Sequence, residues 1–83
     1  MSRVKMKEKK NVCGPQIKER RTELGITQAQ LGARMQLRNI MWDQKTVSRI
    51  ELQLRTVMDF ELLQVANALE CSVEQLLSGE KNE

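Results

Sequence analysis

Two short stretches decide what this chain can fold into. Thr27-Gln-Ala-Gln-Leu-Gly-Ala-Arg-Met35 reads as an amphipathic helix opened by a capping threonine. Lys45-Thr-Val-Ser-Arg-Ile-Glu51 reads as a second helix whose outward side chains are long, polar and basic. Leu31 and Met35 share the inner face of the first, and Val47 and Ile50 that of the second. Between them, Gln36-Leu-Arg-Asn-Ile-Met-Trp42 is unusually apolar for a turn. Trp42 and Phe60 are the only aromatic residues, so Leu, Ile, Val, Met and Ala must fill the core. That composition suits helix packed on helix. Eighty-three residues permit one domain with a small, efficient core. No strand-turn-strand pattern is visible, and the expected class is all-α.

The remaining punctuation predicts three more helices. Gly14-Pro15 opens the first, because proline suits a first turn whose N–H groups have no partner. Ile17, Arg20, Arg21 and Leu24 follow at helical spacing, and Gly25 ends the helix in the left-handed conformation. Ile26 packs ahead of the next helix, where Thr27 and Gln30 have capping-box spacing. Gly32 costs that helix about 1 kcal/mol relative to alanine. Its expected use is the close approach of a neighbouring helix. Leu37 extends the helix by a half-turn and Asn39 stops it. Asp43 caps the third helix, Asp59 the fourth and Ser72 the short last one, Val73-Glu-Gln-Leu-Leu77. The fourth carries Leu62, Leu63, Val65, Ala66 and Leu69 as its apolar set. Residues 1–13 read as a flexible basic arm, 14–79 as the domain, ended by Gly79, and 80–83 as a frayed end. No internal repeat is visible.

Charge is divided along the chain. Through residue 58 thirteen Lys/Arg face five Asp/Glu, a balance of +8; from residue 59 onward one faces six, a balance of −5. A basic half is the electrostatic footprint of a phosphate-binding surface, although charged faces also simply keep a domain soluble. The basic arm can order along a phosphate backbone or in a minor groove. Histidine is absent, and Cys13 and Cys71 lack metal-ligand spacing, so no metal or cofactor is expected. Cys71 reads as a reduced, buried small hydrophobe. Catalysis is not expected, since Cys13 has no base to activate it and no phosphate-cradling glycine loop occurs. No apolar run is long enough for a membrane span and no signal-peptide core is present, so the default expectation is a cytoplasmic location.

With these residues in place, the chain resembles the Cro/repressor-type, or XRE, helix-turn-helix family over roughly 14–79. The resemblance is carried by Ile17-Lys-Glu-Arg-Arg21, Leu24-Gly-Ile-Thr-Gln28, Leu31, Val47-Ser-Arg-Ile-Glu51, Leu62-Leu-Gln-Val-Ala66 with Ala68-Leu69, and Cys71-Ser-Val-Glu-Gln-Leu-Leu-Ser-Gly79. It implies a lambda-repressor-like bundle of five helices, with a lengthened turn between helices two and three. Its third helix would lie in a DNA major groove. It implies that Gln28 holds a phosphate at the start of helix two. Gln44, Lys45 and Thr46 would lead the recognition helix, with Ser48 and Arg49 one turn on. Gln can pair with adenine, and Lys can reach guanine. Arg55 would meet the backbone after helix three, and Asp43 and Arg38 complete the DNA-facing set. One of Arg20 and Arg21 would pair with Glu51 or Glu23, leaving the other for phosphate. The chain departs from the family pattern at the 36–42 turn and at Leu52-Gln53, where Asn-Gly is common.

The implied function is a sequence-specific regulator of transcription on double-stranded DNA, a repressor acting by operator occupancy. It would bind as a homodimer, with no small-molecule ligand. Ile40, Met41 and Trp42 fill the core or form a protein contact. Leu52, Leu54 and Val57 carry the same ambiguity as a surface for a second subunit. The rival reading is a protein-interaction module, antitoxin-like or an anti-repressor partner, that uses the same fold.

Overall fold

Local capping chemistry sets where each helix starts. The computed structural model describes residues 8–78 and contains α1 (Gly14–Glu23), α2 (Gln28–Gln36), α3 (Gln44–Glu51), α4 (Asp59–Ala68) and α5 (Val73–Ser78). The described residues hold no strand, and the all-α, five-helix expectation stands. Pro15 lies in the first turn of α1. Thr27 accepts the Gln30 N–H at 3.0 Å while the Gln30 side chain accepts the Thr27 N–H at 2.8 Å, the expected reciprocal cap of α2. The Asp43 carboxylate takes the Thr46 N–H at 2.8 Å at the start of α3. Ser72 and Gln75 repeat the reciprocal pattern at α5. The fourth helix differs from expectation by one residue. Met58 is its cap and Asp59 its first helical residue, because Glu61 reaches back to accept the Met58 N–H at 2.9 Å.

Helices α1 to α4 all close in the same way. One residue turns left-handed, and the next N–H bonds back five residues. At α1 that residue is Gly25, with Ile26 N–H on the Arg21 carbonyl. At α2 it is Asn39, with Ile40 on Met35, as the sequence predicted. At α3 it is Gln53, with Leu54 on Arg49, and at α4 Glu70, with Cys71 on Ala66. Gln53 and Glu70 hold this conformation without glycine's freedom. Gln53 is secured from outside its own turn: its carbonyl accepts the Lys10 N–H and its amide donates to the Asn11 carbonyl.

Ile17, Leu31, Met35, Trp42, Val47, Ile50, Val65, Leu69 and Leu76 form the buried centre. Trp42 is 1% exposed, so the core-filling reading of that residue is correct; Ile40 packs partly against the core, and Met41 is exposed. Leu63 departs from its expected inward place and is 61% exposed. Gly32 does admit a close neighbour, but the neighbour is the Trp42–Asp43 backbone rather than a helix. A Cβ at Gly32 would stand 2.9 Å from the Trp42 carbonyl oxygen. Gly14 is packed more closely still, and a Cβ there would run into the Ile50 carbonyl oxygen. Both cysteines are free; Cys13 is the buried one, while Cys71 is only half-buried.

Residues 10–13, placed in the arm on sequence grounds, are bonded to the domain. Lys10 N–H donates to Gln53, and the Asn11 amide donates to the carbonyls of Ile50 and Arg55 at 3.1 and 2.7 Å. Residues 1–7 of the arm, Gly79 and the 80–83 end lie outside the described residues.

Candidate nucleic-acid interface

Helix α3 is held by one face and presents the other. Val47 and Ile50 are fully buried, whereas Gln44, Lys45 and Arg49 are exposed and Thr46 and Ser48 half-buried. With 3.6 residues per turn, this division gives α3 one anchored side and one polar, basic side. Its closest packing partner is α2. The expected leading residues of the recognition helix therefore share one accessible surface. Arg49 makes one long contact, Nη2 to the Leu54 carbonyl at 3.5 Å. Asp43 is committed to the helix cap.

Several of the other basic and polar residues are engaged inside the fold. Arg21 meets Glu51 through two hydrogen bonds, Nε to Oε2 at 2.6 Å and Nη2 to Oε1 at 3.1 Å, and its third donor reaches the Ile26 carbonyl. Arg21 and Glu51 are 9% and 7% exposed, so this is a buried pair linking α1 to α3. Gln28 donates its side-chain amide to Glu51 Oε1 at 3.0 Å. A phosphate at the start of α2 would therefore be met by backbone rather than by that amide. The sequence left open which of Arg20 and Arg21 would meet phosphate; with Arg21 on Glu51, Arg20 is engaged as well, donating to the Leu69 and Glu70 carbonyls and pairing with Glu23. Arg34 donates to the Ala68 carbonyl. Two arginines thus satisfy the orphan carbonyls at the end of α4, where the helix dipole favours positive charge. Arg38 donates to the Arg34 carbonyl. Arg55 is paired with Glu61 and also donates to the Thr56 carbonyl.

The residues that sequence reasoning missed are Glu61 and Asn11. Asn11 works through carbonyls 39 and 44 residues away, and Glu61 joins its own helix start to Arg55 and to Trp42, nineteen residues back.

Two carboxylates are tuned by these contacts. Burial pushes the Glu61 carboxyl up, but hydrogen bonds from Arg55, the Met58 N–H and Trp42, with the Arg55 charge, outweigh it and leave the carboxyl below its ordinary 4.5. Asp43 lies below its ordinary 3.8 chiefly because the Thr46 N–H donates to it. A depressed folded value stabilises the fold above the ordinary value, and the contribution is lost as pH falls through the folded one. Urea midpoints should therefore drop as pH falls below 4.5. The Glu61→Gln variant should lose less stability over that interval than the parent. Parallel pH curves for the two proteins would refute the assignment.

A capped α2, a connection and an α3 anchored by one face make a helix-turn-helix unit within a five-helix bundle. Residues 17–76 match the helix-turn-helix family. The chain belongs to that family, the XRE or Cro/repressor type of DNA-binding domain. Among solved structures it is similar to the P22 c2 repressor protein, described in complex with synthetic operator 9T in the presence of Tl+. Identity is 30%, the TM-score is 0.70, and the match covers 84% of this chain and 98% of that one. No curated protein matches the chain. Among the described residues no helix is long and apolar enough to cross a membrane.

Proposed function

We propose that the protein is a sequence-specific transcriptional repressor that occupies an operator in double-stranded DNA as a homodimer. The observation that supports this most is the single accessible face of α3 carrying Gln44, Lys45 and Arg49, with Thr46 and Ser48 beside them. Gln44 and Lys45 project from the first turn, where side chains reach base edges most directly. Arg49 reads a base or a flanking phosphate. The backbone at Gln28 receives a phosphate at the capped start of α2, and Arg38 stands at the other end of that helix. Asp43 contributes by fixing the start of α3. The basic arm adds attraction that does not depend on sequence. Leu52, 64% exposed, with half-buried Leu54 and Val57, supplies the surface for the second subunit.

Selection from randomised duplexes, followed by sequencing of the bound pool, tests the reading. A motif with two half-sites is expected, and a bound pool without any motif would overturn it. On the selected duplex, Lys45→Ala and Arg49→Ala should each cost about 1–3 kcal/mol and relax preference at one position. Unchanged affinity and specificity in both variants would remove α3 from the interface. Exposed Leu37, Met41, Phe60 and Leu63 favour a second reading, a protein-interaction module. The same selection separates the two, because that module needs no duplex motif.

A further inference from the structure

Both ends of α3 are fastened to one carboxylate. Upstream, Trp42 Nε1–H donates to Glu61 Oε2 at 3.2 Å. Downstream, Arg55 Nη1 and Nη2 donate to Glu61 Oε1 and Oε2 at 3.2 and 3.1 Å. The Arg55 guanidinium also lies over the Trp42 ring, 5.8 Å from its centroid, which closes the triangle through a cation–π contact. Trp42 directly precedes Asp43, the cap of α3, and Arg55 follows the turn that ends α3 at Leu52–Gln53. Glu61 is held in turn by the first turn of α4, where it accepts the Met58 N–H. The Trp42 carbonyl is fixed as well: the Gln36 side chain donates to it at 2.8 Å.

We propose that Glu61, Arg55 and Trp42 form a latch that sets the tilt of α3, with Arg55 a positioning residue and not a phosphate contact. The functional consequence rests on the DNA-binding reading above. The geometry favours positioning on three grounds. Glu61 and Trp42 are 6% and 1% exposed, so the hydrogen bond between them is shielded from water. The arginine fork meets the carboxylate in a paired arrangement, which fixes direction as well as distance. A DNA phosphate at Arg55 would have to compete with a carboxylate that already occupies both of its Nη groups. The latch also gives the apolar 36–42 connection a use. A longer connection alone would leave the start of α3 loosely placed, and Trp42 carries the fixing point at its end.

The test uses the full chain with 5-fluorotryptophan at Trp42, the sole tryptophan. The parent, Arg55→Gln and Glu61→Gln are compared below the melting temperature of each. Binding is measured to the selected duplex and to a scrambled duplex of equal length, across a range of salt. Both variants should shift the fluorine resonance without DNA. Both should bind the selected duplex about tenfold more weakly, since a misplaced helix loses base contacts. The scrambled duplex should bind as before, and the salt slope of Arg55→Gln should match the parent's. A phosphate contact predicts the reverse. Arg55→Gln would then weaken both duplexes and flatten the slope by about 0.9, while Glu61→Gln would free the arginine and strengthen both. That pattern, or an unchanged selected-duplex affinity, overturns the proposal. If the parent selects no duplex, the DNA-binding reading fails instead. The fluorine resonance and amide exchange in α3 then decide the latch, and unchanged values in both variants overturn it.

Discussion

Replacing Glu51 by leucine is expected to lower the unfolding free energy by about 3–5 kcal/mol, the usual result of removing one member of a buried ion pair. Glu51 is 7% exposed and satisfies two donors of Arg21 and the amide of Gln28. Leucine would leave that guanidinium largely out of water with only the Ile26 carbonyl as partner. Domains of this size have total stabilities of about 5–15 kcal/mol, so the variant would sit near the unfolding threshold. Most of the loss comes from the stranded charge and not from the pair's own attraction. The double variant Arg21→Met/Glu51→Leu should therefore recover most of it. Urea titration followed by far-ultraviolet circular dichroism provides the comparison. A double variant as unstable as the single one would show that packing, not the unpaired arginine, is the cause.

The second large effect is at Trp42. Trp42→Ala should cost about 3–5 kcal/mol by opening a cavity beneath the connection between α2 and α3. It would also remove a donor from Glu61 and the ring beneath Arg55. Trp42→Phe keeps most of the volume and should cost about 1 kcal/mol for the missing hydrogen bond. In a domain this small each kcal/mol moves the melting temperature by about 4–8 °C, so the two variants separate in a thermal melt. An alanine variant within a few degrees of the parent would mean that the connection contributes little to the core.

Much of this architecture was legible because it is written locally. Thr27 with Gln30, Asp43 with Thr46 and Ser72 with Gln75 are signals spanning three residues, and each marks a helix start as read. Asn39 stopped α2 for the reason the residue type suggests. The start of α4 was misjudged by one residue because Asp59 and Glu61 both suit a first turn. The reach of Glu61 back to Met58 is a matter of geometry. Leu63 fits a helical apolar pattern and still faces out, because periodicity counts apolar residues without showing which ones find a partner. The accessible face of α3 followed from the spacing of Val47 and Ile50. The destinations of the arginines did not. Arg20, Arg34 and Arg55 are all basic residues in a basic half, and only the folded chain brings the end of α4 and Glu61 to them.

The left-handed turns on either side of α3 carry a last consequence. Asn39 and Gln53 occupy a left-handed backbone region that asparagine tolerates and that costs glutamine roughly 1–2 kcal/mol, so surrounding bonds hold Gln53 there and reinforce the preference of Asn39. The Gln36–Trp42 and Gln53–Asn11 bonds would have to break before either turn could relax. Helix α3 is therefore stiffly held, without a soft joint at either end. Under the proposed function, adjustment between the two surfaces falls on the double helix. A poorly matched site would be penalised through the work of bending or twisting it, including at base pairs no side chain touches.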